Sequence, residues 1–318
     1  LSEYMRLAKI ASNMARIMFA LFSLLDWCLR RLIVNADDFG FTPGVNRAII
    51  EAHTHGIVTS CTLMASGPAF GDAVQLAKQA PKLDVGCHVV LIDGEPVSDA
   101  LRLPSITTSS ARFRDGLKSF AARAFTGQLN SNEIEAEVTA QIRKIQSAGI
   151  EVSHVDSHKH THLFPKVLRP ILRAAHACGV RAIRNPFGPR KPIRAGELLV
   201  SPSLWTRYAE VRVLRFLAGE FHEAVRREGF ATPDGTFGVV VTGALNEQLF
   251  RRIAAIIPEG TWEFVCHPGY NDADLQRANT RLRESRETEL RVLTMPEVKQ
   301  LLIAQGIEPI SYRDLVAA

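Results

Sequence analysis

Short apolar runs that end in polar residues alternate with helical segments seven or eight times along this 318-residue chain. Leu32–Ala36 leads into Asp37-Asp38-Phe39-Gly40. Further strand candidates are Ile57–Met64, Asp84–Val90, Val152–Val155, Arg181–Arg184, Phe237–Thr242, Thr261–Cys266 and Ile307–Ile310. Between them lie helix signals. Thr42-Pro43-Gly44 opens one helix, Ser131 with Glu133 and Glu135 opens another that Gly149 stops, and Pro165 opens a third that ends at Gly179. Strand–helix alternation of this kind predicts an α/β fold with a parallel sheet and outer helices. The expected form is a TIM-like (β/α) barrel, distorted or seven-stranded, with helical insertions. An open doubly wound sheet is the alternative, but no G-x-G-x-x-G follows the first strand. The rhythm breaks near 93–130 and 186–230, which read as insertions. Residues 1–30 read as an N-terminal extension or appended helix, and 31–318 as the barrel.

Composition narrows the function classes. With 46% hydrophobic and 22% charged residues, the chain sustains a core and is not a disordered one. Its five cysteines form no C-x-x-C pair, so reduced thiols and a cytoplasmic setting are expected. The net charge of +5 is spread without a long Lys/Arg block, which argues against nucleic acid. Ile17–Leu29 is apolar but too short to span a bilayer, and Asp26 interrupts it. Leu204, Trp205, Tyr208, Val211, Leu214, Phe216 and Phe221 stand beside arginines. An amphipathic stretch of this kind suits peripheral contact at the inner face of the membrane, a greasy lid, or plain packing on the barrel. No motif sets an oligomeric state.

The chemistry gathers at strand ends, which share one rim in a parallel barrel. The most specific signal is Asp156-Ser157-His158-Lys159-His160-Thr161-His162. In an extended chain its alternate polar residues would line one face. One carboxylate and two imidazoles bind a borderline divalent ion and leave positions for water and substrate. Asp38, His88 and His158 are the expected ligands of one such ion. Zinc suits that set best, with magnesium, manganese, nickel and cobalt as alternatives. Asp37 beside Asp38 is the candidate base for a water. His267 is a candidate acid for a leaving amine, or a group that polarises the carbonyl. His160, His162, Arg184, Tyr270 and Asn271 are candidate substrate contacts. Arg281, Arg283, Glu284, Arg286 and Glu287 read as a solvated helix face with i,i+3 and i,i+4 pairs.

Asn35-Ala36-Asp37-Asp38-Phe39-Gly40, Gly86-Cys87-His88 and the Asp156–His162 segment, in this order, resemble the motifs of the YdjC/ChbG carbohydrate deacetylases. The resemblance runs from about Arg31 to Asp314. It implies a (β/α) barrel, a divalent metal held by Asp38, His88 and His158, Asp37 as base, and removal of acetyl from N-acetylated sugars. Gly86–Pro96, His267-Pro268-Gly269-Tyr270-Asn271-Asp272 and Thr280–Glu287 are similar to the hopanoid-biosynthesis-associated branch. That similarity implies a lipid-linked N-acetylglucosamine, on a hopanoid polyol, as substrate. A chitooligosaccharide deacetylase, a two-metal phosphoesterase and a silent sugar- or lipid-binding module are the competing readings.

Overall fold

The computed structural model describes residues 29–189, 208–209 and 212–317. Seven parallel strands form one curled sheet: β1 (Arg30–Phe39), β2 (Ser60–Leu63), β3 (Asp84–Val89), β4 (Val155–Ser157), β5 (Gly235–Phe237), β6 (Gly260–Cys266) and β7 (Ile307–Ile310). Their order is β4-β3-β2-β1-β6-β5, and β7 pairs with the first half of β1. Helices fill the connections: α1 (Pro43–Thr54), α2 (Phe70–Gln79), α3 (Leu117–Thr126), α4 (Ser131–Ser147), α5 (Pro165–Ala177), α6 (Ala218–Arg227), α7 (Glu247–Ile256), α8 (Ala273–Arg277), α9 (Glu284–Thr294), α10 (Pro296–Ala304) and α11 (Tyr312–Ala317).

The sheet is a distorted half-barrel rather than a complete (β/α) barrel. Between β4 and β5 the regular ladder gives way to isolated bridges, Val155 to Ile183 and Ala182 to Ala231. The expected strand Arg181–Arg184 is reduced to those bridges. The expected strand Phe237–Thr242 instead runs Gly235–Phe237. It ends where Gly238 adopts φ +97 and packs so close that a Cβ would lie 2.2 Å from the Val265 carbonyl oxygen.

Each strand faces two different environments. Leu32, Val34 and Ala36 on β1, Cys61 and Leu63 on β2, Val85, Cys87 and Val89 on β3, and Trp262, Phe264 and Cys266 on β6 join one large apolar core with the helices. The intervening residues point into the curl, because side chains alternate along a strand. Those residues are mostly polar yet fully buried: Asn35, Thr62, His88, Asp156 and Glu263. The barrel interior is therefore a polar network, walled off from water by an apolar shell.

Residues 1–28 of the expected N-terminal extension, Leu204, Trp205 and Val211 lie outside the described residues, whereas Arg30 already belongs to β1. Among the flanking residues that are described, Phe221 is fully buried, whereas Phe216 is 67% exposed. No described helix is long and apolar enough to cross a membrane.

Candidate active site and metal centre

β1 carries the two adjacent carboxylates through a local break in regular geometry. Asp37 shares the inward parity of Ile33 and Asn35. Regular alternation would turn Asp38 outward, but its φ is 68, and the β1–β2 register shifts between Ala36 and Phe39. A bulge of this kind re-aims a side chain. Both carboxylates thus reach the same end of the curl, 3% and 5% exposed.

The Asp156–His162 segment does not stay extended. β4 stops at Ser157, and His158–Leu163 form a 3-10 turn with Lys159 and His160 left-handed at φ 53 and 54. The alternation expected for Asp156, His158 and His160 is therefore broken, and each takes a different station. Asp156 sits beneath His88 and accepts from its Nδ1 at 2.8 Å. That bond directs the other ring nitrogen, Nε2, toward the rim. His158 lies on the rim with its side chain 25% exposed. An ion pair between Lys159 and Asp93, 2.6 Å, ties its turn to the neighbouring loop.

The three expected ligands converge. His88 Nε2 lies 3.5 Å from Asp38 Oδ1 and 3.4 Å from His158 Nδ1, and His158 Nδ1 lies 3.6 Å from the same Asp38 oxygen. Bonds of about 2.0–2.2 Å at tetrahedral angles need ligand atoms about 3.3–3.6 Å apart, so the set fits a divalent ion. The surrounding charge fits as well. Asp37, Asp38, Asp156 and Glu263 face two buried guanidiniums, Arg184 and Arg286. Four carboxylates against two guanidiniums leave two negative charges when all six are ionised. Burial disfavours charge on His88, yet Asp156, Asp37 and Asp38 outweigh it and raise the imidazole to about 9.

A second grouping, Asp37, His88 and Asp156, also brings three ligand atoms close together. Arg184 already fills it. Its Nη1 lies 2.8 Å from Asp37 Oδ2 and 2.5 Å from Asp156 Oδ2.

Asp37 is held on several sides. Arg184 grips it with both terminal nitrogens, at 2.8 and 2.6 Å, and Asn35 Nδ2 donates to it at 2.9 Å. Burial alone would raise its pKa, but Arg184 prevails and keeps the carboxylate far below its usual range. His267 Nε2 stands 3.9 Å from Asp37 Oδ2. The His267 backbone is fixed through its N–H to Glu289, 2.6 Å.

The expected substrate contacts separate into three settings. Arg184 is fully buried, its guanidinium engaged by Asp37, Asp156 and Glu263, so it faces protein rather than open space. His162 is fully buried too, with Nδ1 against Ser157 Oγ at 2.6 Å. His160 is partly buried, and desolvation together with Arg184 lowers it to about 3, so it is neutral. Tyr270 and Asn271 line an open depression of about 560 Å³ with Arg47, Glu51, Asp272 and Glu287. The Tyr270 hydroxyl donates to Glu51 there.

Of the residues read as a solvated charged face, Arg281, Arg283, Glu284 and Glu287 are exposed, and Arg286 is the correction. Arg286 on α9 is 1% exposed and donates to Asp38 Oδ2 at 2.5 Å. Glu289, one turn on, is 2% exposed. Arg286, Glu289, Leu290 and Leu293 share the buried face at helical spacing. The periodicity was present in the sequence, but charged residues occupied half of it. Asn35, Thr62, Glu263 and Tyr312 were also missed. The first three alternate with apolar residues along their strands, which was the available signal.

Arg286 occupies one Asp38 oxygen and leaves the other toward the two histidines. Arg286→Met is expected to weaken divalent-ion affinity about 10- to 100-fold, measured by competition with a chromophoric chelator. Unchanged affinity would show that Asp38 needs no partner.

The model of the YdjC-like protein family matches residues 31–304. The chain belongs to the YdjC-like family. A carbohydrate deacetylase from Brevibacillus brevis is 34% identical over 288 residues, covering 90% of this chain and 99% of the relative. A chitooligosaccharide deacetylase from Salmonella schwarzengrund is 34% identical over 292 residues, with 90% and 99% covered. The crystal structure of an Enterococcus faecalis protein, provisionally named a cellobiose-phosphate cleavage protein, superposes with TM-score 0.71 at 28% identity, covering 90% of this chain and 99% of that one. The YdjC-like relatives named as deacetylases are hydrolases of an amide C–N bond.

Proposed function

We propose that this YdjC-like chain is a metal-dependent N-deacetylase that hydrolyses the acetamide of an N-acetylglucosamine-type sugar carried on a hopanoid polyol. The observation that carries the reading is the meeting of Asp37, Asp38, His88, His158 and His267 at one end of the curl. Asp38, His88 and His158 would hold the divalent ion, zinc being the best match for one carboxylate and two imidazoles. Such an ion supplies Lewis-acid polarisation of a carbonyl and a lowered pKa for water.

The protein's own groups account for the proton traffic. Asp37 stays ionised and accepts a proton as water adds to the acetyl carbonyl carbon. His267 stands on the same side and gives a proton to the sugar nitrogen as the C–N bond breaks. Acetate and a free amine result. Arg184 and His162, enclosed by protein, serve to hold the site, while His160, Tyr270 and Asn271 remain the candidate sugar contacts.

A lipid-linked acceptor is supported by apolar surface beside the site. Phe125 and Phe216 are 53% and 67% exposed and lie with ring centroids 6.4 Å apart at 22°. Phe125 also packs on Phe164, which follows the histidine turn. Exposed apolar clusters of this kind mark ligand or membrane contact, and would place the enzyme peripherally at the inner membrane face. The chitooligosaccharide reading draws on the Salmonella relative. A two-metal phosphoesterase is disfavoured by Arg184, which fills the second carboxylate grouping.

Acetate release decides between the substrates. The expected result is higher kcat/KM on N-acetylglucosaminyl hopanoid than on di-N-acetylchitobiose, with acetate as product and activity lost on metal stripping. Preference for chitobiose would move the assignment to chitooligosaccharides. Phosphate release from phosphorylated sugars without acetate release would overturn deacetylation.

A further inference from the structure

The floor of the curl holds a charged group that the reaction does not touch. Glu263 is fully buried on β6, and its Oε1 accepts from Arg184 Nε at 2.9 Å and Nη2 at 2.8 Å. Asp37 takes the other edge of the same guanidinium, Nη1 and Nη2, and Asp156 shares Nη1 at 2.5 Å. A planar guanidinium engaged on two edges has its plane fixed. The other Glu263 oxygen, Oε2, accepts from Thr236 Oγ1 at 3.0 Å and from the Tyr312 hydroxyl at 2.8 Å. Tyr312 is itself clamped: it is fully buried at the start of α11, and its ring lies on that of His154 with centroids 3.6 Å apart and planes 11° apart. Gly86 leaves room for that histidine, since a Cβ there would lie 2.5 Å from the ring.

Stability does not call for this arrangement. An apolar filler is often as good as a buried ion pair, or better. The carboxylate therefore points to a task of orientation. Tyr312 also lies past residue 304, where the family match ends.

We infer that Tyr312 and Glu263 are positioning residues that fix the plane of Arg184 and thereby aim Asp37. The inference rests on the reading of Asp37 as proton acceptor. The chain runs from the Tyr312 hydroxyl to Glu263, to Arg184, to Asp37, and every link is a hydrogen bond of 2.6–2.9 Å. None of the four is a ligand of the proposed ion. Their effect belongs in kcat, with KM untouched and metal content preserved because Asp156 keeps its own bond to His88.

The test uses full-length, metal-loaded enzyme and whichever of the two N-acetylated substrates above turns over faster. Tyr312→Phe removes one hydroxyl and keeps the ring stack. Glu263→Gln keeps the shape and removes the charge. Expected losses in kcat are about 10-fold for Tyr312→Phe and about 10- to 100-fold for Glu263→Gln, each with wild-type KM and one ion per chain. The double variant should be no slower than Glu263→Gln alone, because Tyr312 acts only through Glu263. Wild-type kcat in Tyr312→Phe, which has no reason to misfold, would overturn the inference, as would losses that multiply in the double variant or that appear in KM or metal content. Full activity in Asp37→Asn would instead sink the underlying reading, so the two failures are distinguishable.

Discussion

Asp37→Asn is expected to lower kcat for acetate release by about 10²- to 10⁴-fold while the enzyme keeps one divalent ion per chain. The substitution is nearly isosteric. Its carbonyl oxygen still accepts from Arg184, but the side chain no longer takes a proton at neutral pH. The ligands keep their own partners in this variant, because Asp38 is held by Arg286 on its other oxygen and His88 is held by Asp156. Turnover and metal content therefore separate in this variant. Steady-state acetate assays paired with elemental analysis read both. A rate near wild type would remove Asp37 from the reaction and leave it as a structural partner of Arg184.

Stripping the metal is expected to abolish turnover, and His158→Ala to lower metal occupancy and activity together. Lewis-acid stabilisation of about 4 kcal/mol corresponds to about 10³-fold in rate. Loss of that size on chelation, reversed by adding back zinc or another divalent ion, is the predicted pattern. His158 is the informative ligand to replace because its side chain is partly exposed, whereas that of His88 is 2% exposed within the polar floor. Chelated enzyme that retained full activity would end the metal-dependent reading. Unchanged stoichiometry in His158→Ala would take that residue out of the ligand set.

Much of the site was legible because chemistry and position coincide at strand ends. Asp37, Asp38, His88, His158 and His267 each lie at or just past the end of a strand, and a parallel sheet collects such ends on one side whatever the details of its closure. The same logic failed for Asp156–His162. Alternation assumes an extended chain, and the left-handed residues Lys159 and His160 break it. Reading charge as a sign of solvent held for Arg281, Arg283, Glu284 and Glu287 and failed at Arg286 on α9. Arg286 and Glu289 are buried because Asp38, near the end of β1, and the His267 backbone, just past β6, offer them partners.

By itself the sequence determined the parallel α/β class, the order of strands along the chain and the residue types available at their ends. These follow from local periodicity, helix caps and short apolar runs, which need no knowledge of distant neighbours. Only the tertiary structure decided that the sheet stays an incomplete barrel, that a bulge turns Asp38 inward beside Asp37, and that Arg184 is enclosed by carboxylates. Each of those outcomes depends on which residues of separate elements meet, from the β1–β2 pairing to the bond between Arg184 and Asp37. A buried charge is tolerated only where such a meeting supplies its partner.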